Sequence, residues 1–412
     1  MQPREFLTLF AVVFIGMLGY GLMVPLIPLM ALKLGVSKTF ITWVVATYAL
    51  AQLVGAPVWG HLSDKFGRRP VLIWTVAVSF VGYVLLAVAD SLWLLLLSRA
   101  IGGFSAGNLS TAYAYVSDRT SAKERARAIG RISAAFGMGF MVGPAIGGFL
   151  AGGTTVGEAD FARPALAAAL MSAAALVATY LFLPESRDPV PHRAATAAPG
   201  PTFLAKNAAL LRRPALVTLA GLTLLAFVTT SVLQSTFPLW MQSQLGFAAL
   251  EVGLVYSYNG IVITATQGLI VGPLAERFGE RRMLQCASVL FAAGLAGLIH
   301  AQGVVLLLAS TTMSAFATGI FSTCLPTQFS HQTSPGDRGA IIALYQSTGS
   351  FSRFLGPTFS GALFERVAVS APFWFGIGAM AVSLLLTFVL GRVTGGTAQA
   401  GDGGDGNSAD SP

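Results

Sequence analysis

Charged residues are scarce in this sequence, so those that interrupt or bound its apolar runs are where chemistry is expected. The run Gly60-His-Leu-Ser-Asp64-Lys-Phe-Gly67-Arg68-Arg69 sets an acid and a base four residues apart at the end of an apolar segment. Its glycines allow a tight turn, and the opposite charges lie close to a membrane boundary. Asp118 ends another apolar segment, and Arg99 lies some seven residues inside it, about 10 Å along a helix at 1.5 Å per residue. A guanidinium at that depth is costly unless it faces a cavity or a partner, and such a residue is functional by default. No Asp or Glu stands at mid-depth. Asp90, Glu251 and Glu365 fall near one set of segment ends, and Asp64, Asp118 and Glu276 near the other.

Other chemistries lack their residues. His61, His192, His300 and His331 are scattered, which argues against a metal site. No Gly-x-x-x-x-Gly-Lys-Ser/Thr loop for ATP occurs, and no clustered acids or Ser–His partners suggest an enzyme. No cofactor is implied. Cys286 and Cys324 sit in apolar segments and read as two buried thiols.

The elements that must position these residues are membrane spans. Of the 412 residues 54% are hydrophobic and 10% charged, against roughly a quarter charged in soluble domains. A crossing takes about 20 apolar residues, leaving room for a dozen. The expected crossings are Phe6 to Leu32, Phe40 to Leu62, Val71 to Val88, Leu92 to Val116, Ile129 to Leu150, Pro164 to Leu183, Ala215 to Met241, Val252 to Ala275, Met283 to Leu298, Val304 to Phe329, Ala340 to Leu363 and Ala371 to Val393. The first is too long for a signal-peptide core of about 7 to 15 residues. The net charge of +8 sits in short loops and reads as topology rather than as a nucleic-acid surface. Lys65, Arg68, Arg69, Arg119, Lys123, Arg125, Arg127, Arg277, Arg281, Arg282 and Arg338 share one side, against Lys33, Lys38, Arg163 and Arg366 on the other, which puts both termini in the cytoplasm. Residues 184–214 read as a cytoplasmic linker between halves 1–183 and 215–394, and 395–412 as a disordered tail.

The halves repeat. Gly60 to Arg69 recurs as Gly272-Pro-Leu-Ala-Glu276-Arg-Phe-Gly279-Glu-Arg281, a shift of 272 − 60 = 212. Gly143-Pro144 recurs as Gly356-Pro357, and Pro25 as Pro238, each shifted by 213. The fold class is therefore an all-α membrane protein of twelve transmembrane helices in two pseudo-symmetric six-helix bundles, with a cavity between them near mid-depth.

With these motifs in place, the chain from Phe6 to Val393 resembles the major facilitator superfamily, in its twelve-helix drug:proton antiporter branch and near the tetracycline efflux proteins. Gly60 to Arg69 matches the signature Gly-x-Leu-x-Asp-Arg/Lys-x-Gly-Arg-Arg/Lys. Leu95 to Gly103 matches Leu-x-x-x-Arg-x-x-Gln-Gly except that Gly102 replaces the glutamine. Gly139-x-x-x-Gly143-Pro144-x-x-Gly147-Gly148 matches the exporter motif, and Gly19-Tyr20-Gly21-Leu-Met-Val-Pro25-Leu-Ile-Pro28 the first-helix signature. Tetracycline exporters carry an Asp nine residues before that first proline, where this chain has Gly16.

The resemblance implies that Arg68 pairs with Asp118 while Asp64 faces the start of the eleventh helix near Gly339, latching the cytoplasmic side. It implies a cavity lined by the first, fourth, seventh and tenth helices, supported by the second, fifth, eighth and eleventh. Helical spacing then gives Phe104, Asn108, Thr111 and Tyr115; Phe227, Ser231 and Gln234; Tyr256, Asn259 and Gln267; and Gln346 with Arg353. Tyr20, Arg99, Asn108, Tyr115, Gln234, Tyr256, Asn259 and Gln346 are the expected substrate contacts, and Asp64, Arg68, Arg99 and Asp118 the coupling and gating residues. With Arg353 or Arg131 nearby, such a lining suits a mostly apolar, neutral or anionic compound. The expectation is a monomeric secondary exporter in a bacterial inner membrane, with a small-molecule substrate, protons and the lipid bilayer as partners. Its rival is a facilitator or importer of a metabolite or organic anion without strong proton coupling.

Overall fold

The computed structural model describes residues 3–186, 210, 212–333 and 337–401. Most of the expected linker, 187–209, and the end of the expected tail, 402–412, lie outside the described residues.

The apolar runs become helices arranged as the duplication requires. The first crossing is α1 (Pro3–Met23) and α2 (Ile27–Lys33), broken at Val24–Leu26. Pro28 has no N–H to give the carbonyl of Val24 and its ring clashes with it. Then come α3 (Lys38–Phe66), α4 (Arg68–Ala87), α5 (Leu92–Ser105), α6 (Asn108–Arg119), α7 (Ala122–Ala151) and α8 (Ala162–Phe182). The second half holds α9 (Pro214–Leu245), α10 (Ala249–Ala265), α11 (Val271–Phe278), α12 (Glu280–Ile299), α13 (Val304–His331), α14 (Arg338–Ala362) and α15 (Ala371–Gly401). A π turn, Thr266–Ile270, joins α10 to α11 as one crossing, and another, Leu363–Val367, ends α14. Among the described residues ten helical segments are long and apolar enough to span a membrane. The fourth crossing is in two pieces, and α14 is too polar for that test.

Four sequence expectations are corrected. The fourth crossing is not continuous: the indole of Trp59 donates to the carbonyl of Phe104 at 2.7 Å, the acceptor the next helical turn would have used, and the chain breaks at Ala106–Gly107. A Cβ on Gly107 would stand 2.9 Å from the Trp59 side chain. Cys286 is exposed on α12 rather than buried, because its face of the helix points away from the bundle. The twelfth helix runs on to Gly401 where a disordered tail was expected, since an established helix gains one hydrogen bond per added residue without burying side chains. Pro184–Ser186, assigned to the linker, packs back on the bundle through Glu185.

The repeat survives in three dimensions: Gly67 and Gly279, 212 apart, turn the chain at φ +99° and +80°. The halves meet where α3 packs on α14 and α7 on α10. The fifth crossing carries two bare faces. Gly139, Gly143 and Gly147 admit the backbone of α1, while Gly148 admits that of α10 at Ala249 and Leu250. Gly253 returns the contact against Pro144, and Gly361 admits α3 at Lys38 to Thr42. These contacts lie at the end away from Gly67, where Lys38 Nζ also sits 5.1 Å from the Phe364 ring centre. At the Gly67 end, a Cβ on Gly60, Gly272 or Gly339 would meet nothing within 4 Å. Among the described residues, the bundle is thus closed at one end and open at the signature end.

Candidate functional site

Three adjoining cavities occupy the middle of the bundle. The central one lies between the halves and is walled by Tyr20, Tyr48, Gln52 and Arg99 from the first and by Ser231, Gln234 and Arg353 from the second. A second lies inside the first half and shares Tyr20, Tyr48 and Arg99 with it, adding Gly16, Ser79 and Tyr83. A third lies mainly in the second half, shares Gln234 with the central one, and is walled by Phe140, Phe237, Tyr256, Asn259 and Thr311 among others. None of the three walls contains an Asp or Glu.

Arg99 projects from α5 into the first two cavities and is 4% exposed. Its guanidinium carbon stands 5.5 Å from the Tyr48 ring centre, a cation–π contact that offsets part of its desolvation. Its Nε has no hydrogen-bond partner. Gly102, where the resemblance led to a glutamine, explains part of this isolation: a Cβ there would lie 3.8 Å from an Arg99 terminal nitrogen. A side chain at 102 would therefore start next to the guanidinium, and glycine leaves that space empty. Tyr20 lies between Tyr48 (ring centres 5.2 Å apart) and Phe140 (6.3 Å). Across the cavity, Arg353 projects from α14, 5.8 Å from the Phe227 ring centre, and donates to Ser350 Oγ at 3.0 Å. Asn259 Oδ1 is buried without a partner.

The structure thus gathers Tyr20, Arg99, Gln234, Tyr256 and Asn259 around connected cavities. It does not bring the other expected contacts there. Tyr115 is fully buried in a packed cluster with Leu9, Val13 and Leu72, and its hydroxyl donates to Pro184 O at 2.9 Å. The break before α6 disrupts the continuous stripe that would have carried it to the cavity. Gln346 is exposed and belongs to none of the three walls. Arg131 is exposed, its guanidinium 5.7 Å from the Phe6 ring centre, and the Asn108 side chain lies outside the described residues. Tyr48, Gln52 and Tyr83 were missed; the polar stripe along Tyr48 and Gln52, four apart on the second crossing, is the signal that could have found two of them.

The second cluster lies at the signature end. The Arg68 side chain donates to Asp64 Oδ1 at 2.8 Å, Asp118 Oδ2 at 3.0 Å and Ser63 Oγ at 3.0 Å. Glu185 accepts the backbone N–H groups of Arg68 and Arg69 at 2.8 and 3.1 Å, an acid on the orphan donors and positive dipole of a helix start. Beside it, Arg119 reaches Glu5 at 2.7 Å, and this pairing holds the Arg119 pKa above its ordinary value. Among the described residues no group of three His, Cys, Asp or Glu is placed to hold a metal.

A family model described as Major Facilitator Superfamily matches residues 9–267 and 219–407. The chain is 28% identical to multidrug resistance protein 2 of Bacillus subtilis over 94% of its own length and 95% of that protein's. It is 29% identical to the class C tetracycline resistance protein of Escherichia coli, over 87% of its own length and 88% of that protein's. The crystal structure of the nucleoside transporter NupG superposes with a TM-score of 0.76 at 15% identity, covering 95% of this chain and 99% of that one.

Proposed function

The chain belongs to the major facilitator superfamily and is a multi-pass membrane transporter, not an enzyme; from that premise we propose that it exports a small, largely apolar organic compound across a bacterial plasma membrane by alternating access. The observation that carries the reading is the pairing of a central cavity with one closed and one open end, which is what one limit of an alternating-access cycle requires. The basic loops support a cytoplasmic position for the open, signature end, and on this reading the limit loads from inside. The bare faces of α7 on α1 and α10, and the drug-resistance relatives, favour export.

Protons are the driving ion of the reading, and coupling is weak. No carboxylate lines the three cavities, and Asp118 lies 19 positions from Arg99 (118 − 99), at the far end of the second piece of the broken fourth crossing. A proton cannot pass directly between them, so Asp118 would act through the conformation of the signature end. The same absence favours a second reading, facilitated or exchange movement without protons. Substrate accumulation in everted vesicles with and without an imposed pH gradient separates the two, and no movement under either condition would sink both.

A further inference from the structure

The central cavity has a charge pattern that a neutral or cationic cargo does not explain. Arg99 and Arg353 enter it from opposite halves, and no Asp or Glu belongs to its wall or to those of its neighbours. Among the described residues no oxygen accepts a hydrogen bond from Arg99, and its buried Nε is unpartnered. Arg353 uses one nitrogen on Ser350, while each guanidinium has five donors in a planar fork suited to oxyanions. Tyr20 and Tyr48 line the same cavity as both cations. Two desolvated cations facing one space without a counter-charge leave a site whose missing member is an anion. Beyond Gln234 the wall carries Phe140, Phe237, Tyr256 and Ile263, interspersed with threonine and serine hydroxyls and the Asn259 amide.

We propose that the cavity binds an amphiphilic organic anion, its oxyanion head (carboxylate, sulfonate or phosphate) held between Arg99 and Arg353 and its apolar body lying toward Phe140, Phe237 and Tyr256. The assignment deepens the transport reading and rests on it for its biological sense, although the binding site is testable alone. Because the two cations belong to different halves, the anion also bridges the parts that must move.

The test is equilibrium binding to the full-length protein in nanodiscs. Fluorescein and rhodamine 123 share a xanthene body and differ in charge; naphthalene-2-sulfonate and 4-methylumbelliferyl phosphate extend the anion series. At least one anion is expected to bind at least about tenfold more tightly than rhodamine 123, and to lose about tenfold or more in Arg99→Gln and in Arg353→Gln. Arg353→Lys should fall between, and Gly378→Ala, with open space around it, should match wild type. Rhodamine 123 binding as tightly as every anion, no anion binding above that level, or anion binding unchanged in both Gln variants would overturn the proposal. If Arg99→Gln does not fold, the less buried Arg353 decides. Charge-selective binding without flux in vesicles would leave the site standing and remove the transport reading; flux without the charge preference would do the reverse.

Discussion

Glu365, at the end of the eleventh crossing, accepts from Thr39 of the second crossing twice: from its backbone N–H at 2.9 Å and its hydroxyl at 2.5 Å. The two residues belong to different halves and close the end away from the signature loops. Both hydrogen bonds favour the charged carboxylate, so the Glu365 pKa is depressed in this state. A depressed carboxylate stabilises the closed end above its ordinary pKa, about 4.3, and that contribution is lost as the pH falls through the depressed value. Spin labels on the ends of α3 and α14 nearest Thr39 and Glu365 should therefore report more open-ended molecules in Glu365→Gln at pH 7, and in wild type only at acid pH. An unchanged distance distribution in Glu365→Gln would refute the latch.

Gly148 gives the second prediction. Its place against the backbone at Ala249 and Leu250 leaves no room for a methyl group unless the halves separate by several tenths of an ångström. Gly148→Ala should disfavour this closed end and slow transport by roughly an order of magnitude, about 1.4 kcal/mol on the closing step. Gly378→Ala, a helix-interior control in open space, should instead gain about 0.5 to 1 kcal/mol of stability. Flux in proteoliposomes and thermal unfolding of both variants check the pair.

Arg68 and Asp118 form the third. Their bond at 3.0 Å joins a 7% exposed arginine to a partly exposed acid, so it is screened less than a surface pair. Arg68→Asp with Asp118→Arg should recover more transport than the single changes predict, by a coupling of about 0.5 to 3 kcal/mol. Recovery should stay incomplete because Arg68 also donates to Asp64 and Ser63. Strict additivity would count against a functional pair.

What could be read from sequence followed the strength of the local constraint. The turns at Gly67 and Gly279 were legible because only glycine takes a positive φ cheaply, and Arg99 because a charge inside an apolar run has few places to go. Tyr48 and Tyr83 were not: a tyrosine on a spanning helix serves packing as well as a cavity, and which face it shows depends on neighbouring helices. Tyr115 was misplaced because a four-residue stripe presumes an unbroken helix, and the Trp59 bond to Phe104 that breaks it is a tertiary event. Glu185 was hidden in a proline-bounded stretch that reads as linker, although it folds back 117 residues to cap α4 at Arg68.

Gly16 gives the last prediction. It shares a cavity wall with Arg99, at the position where tetracycline exporters carry an acid. Gly16→Asp would place a carboxylate in the cavity of an otherwise uncompensated guanidinium, and at neutral pH the two should pair. An anion binding at Arg99 would then have to displace that carboxylate, and a carboxylate deprived of its cation in a desolvated site takes up a proton. Binding in the variant should therefore consume up to one proton, with anion affinity rising by as much as about tenfold for each unit the pH falls. In wild type, whose cavity walls hold no acid, affinity should be nearly flat between about pH 5.5 and 7.5, where a sulfonate probe and arginine both keep their charge. Titrating naphthalene-2-sulfonate binding against pH in both proteins is the measurement. A steep pH dependence in wild type would mean that a titrating group outside these walls controls the site; equal, flat profiles with undiminished affinity would mean that the new carboxylate never meets Arg99.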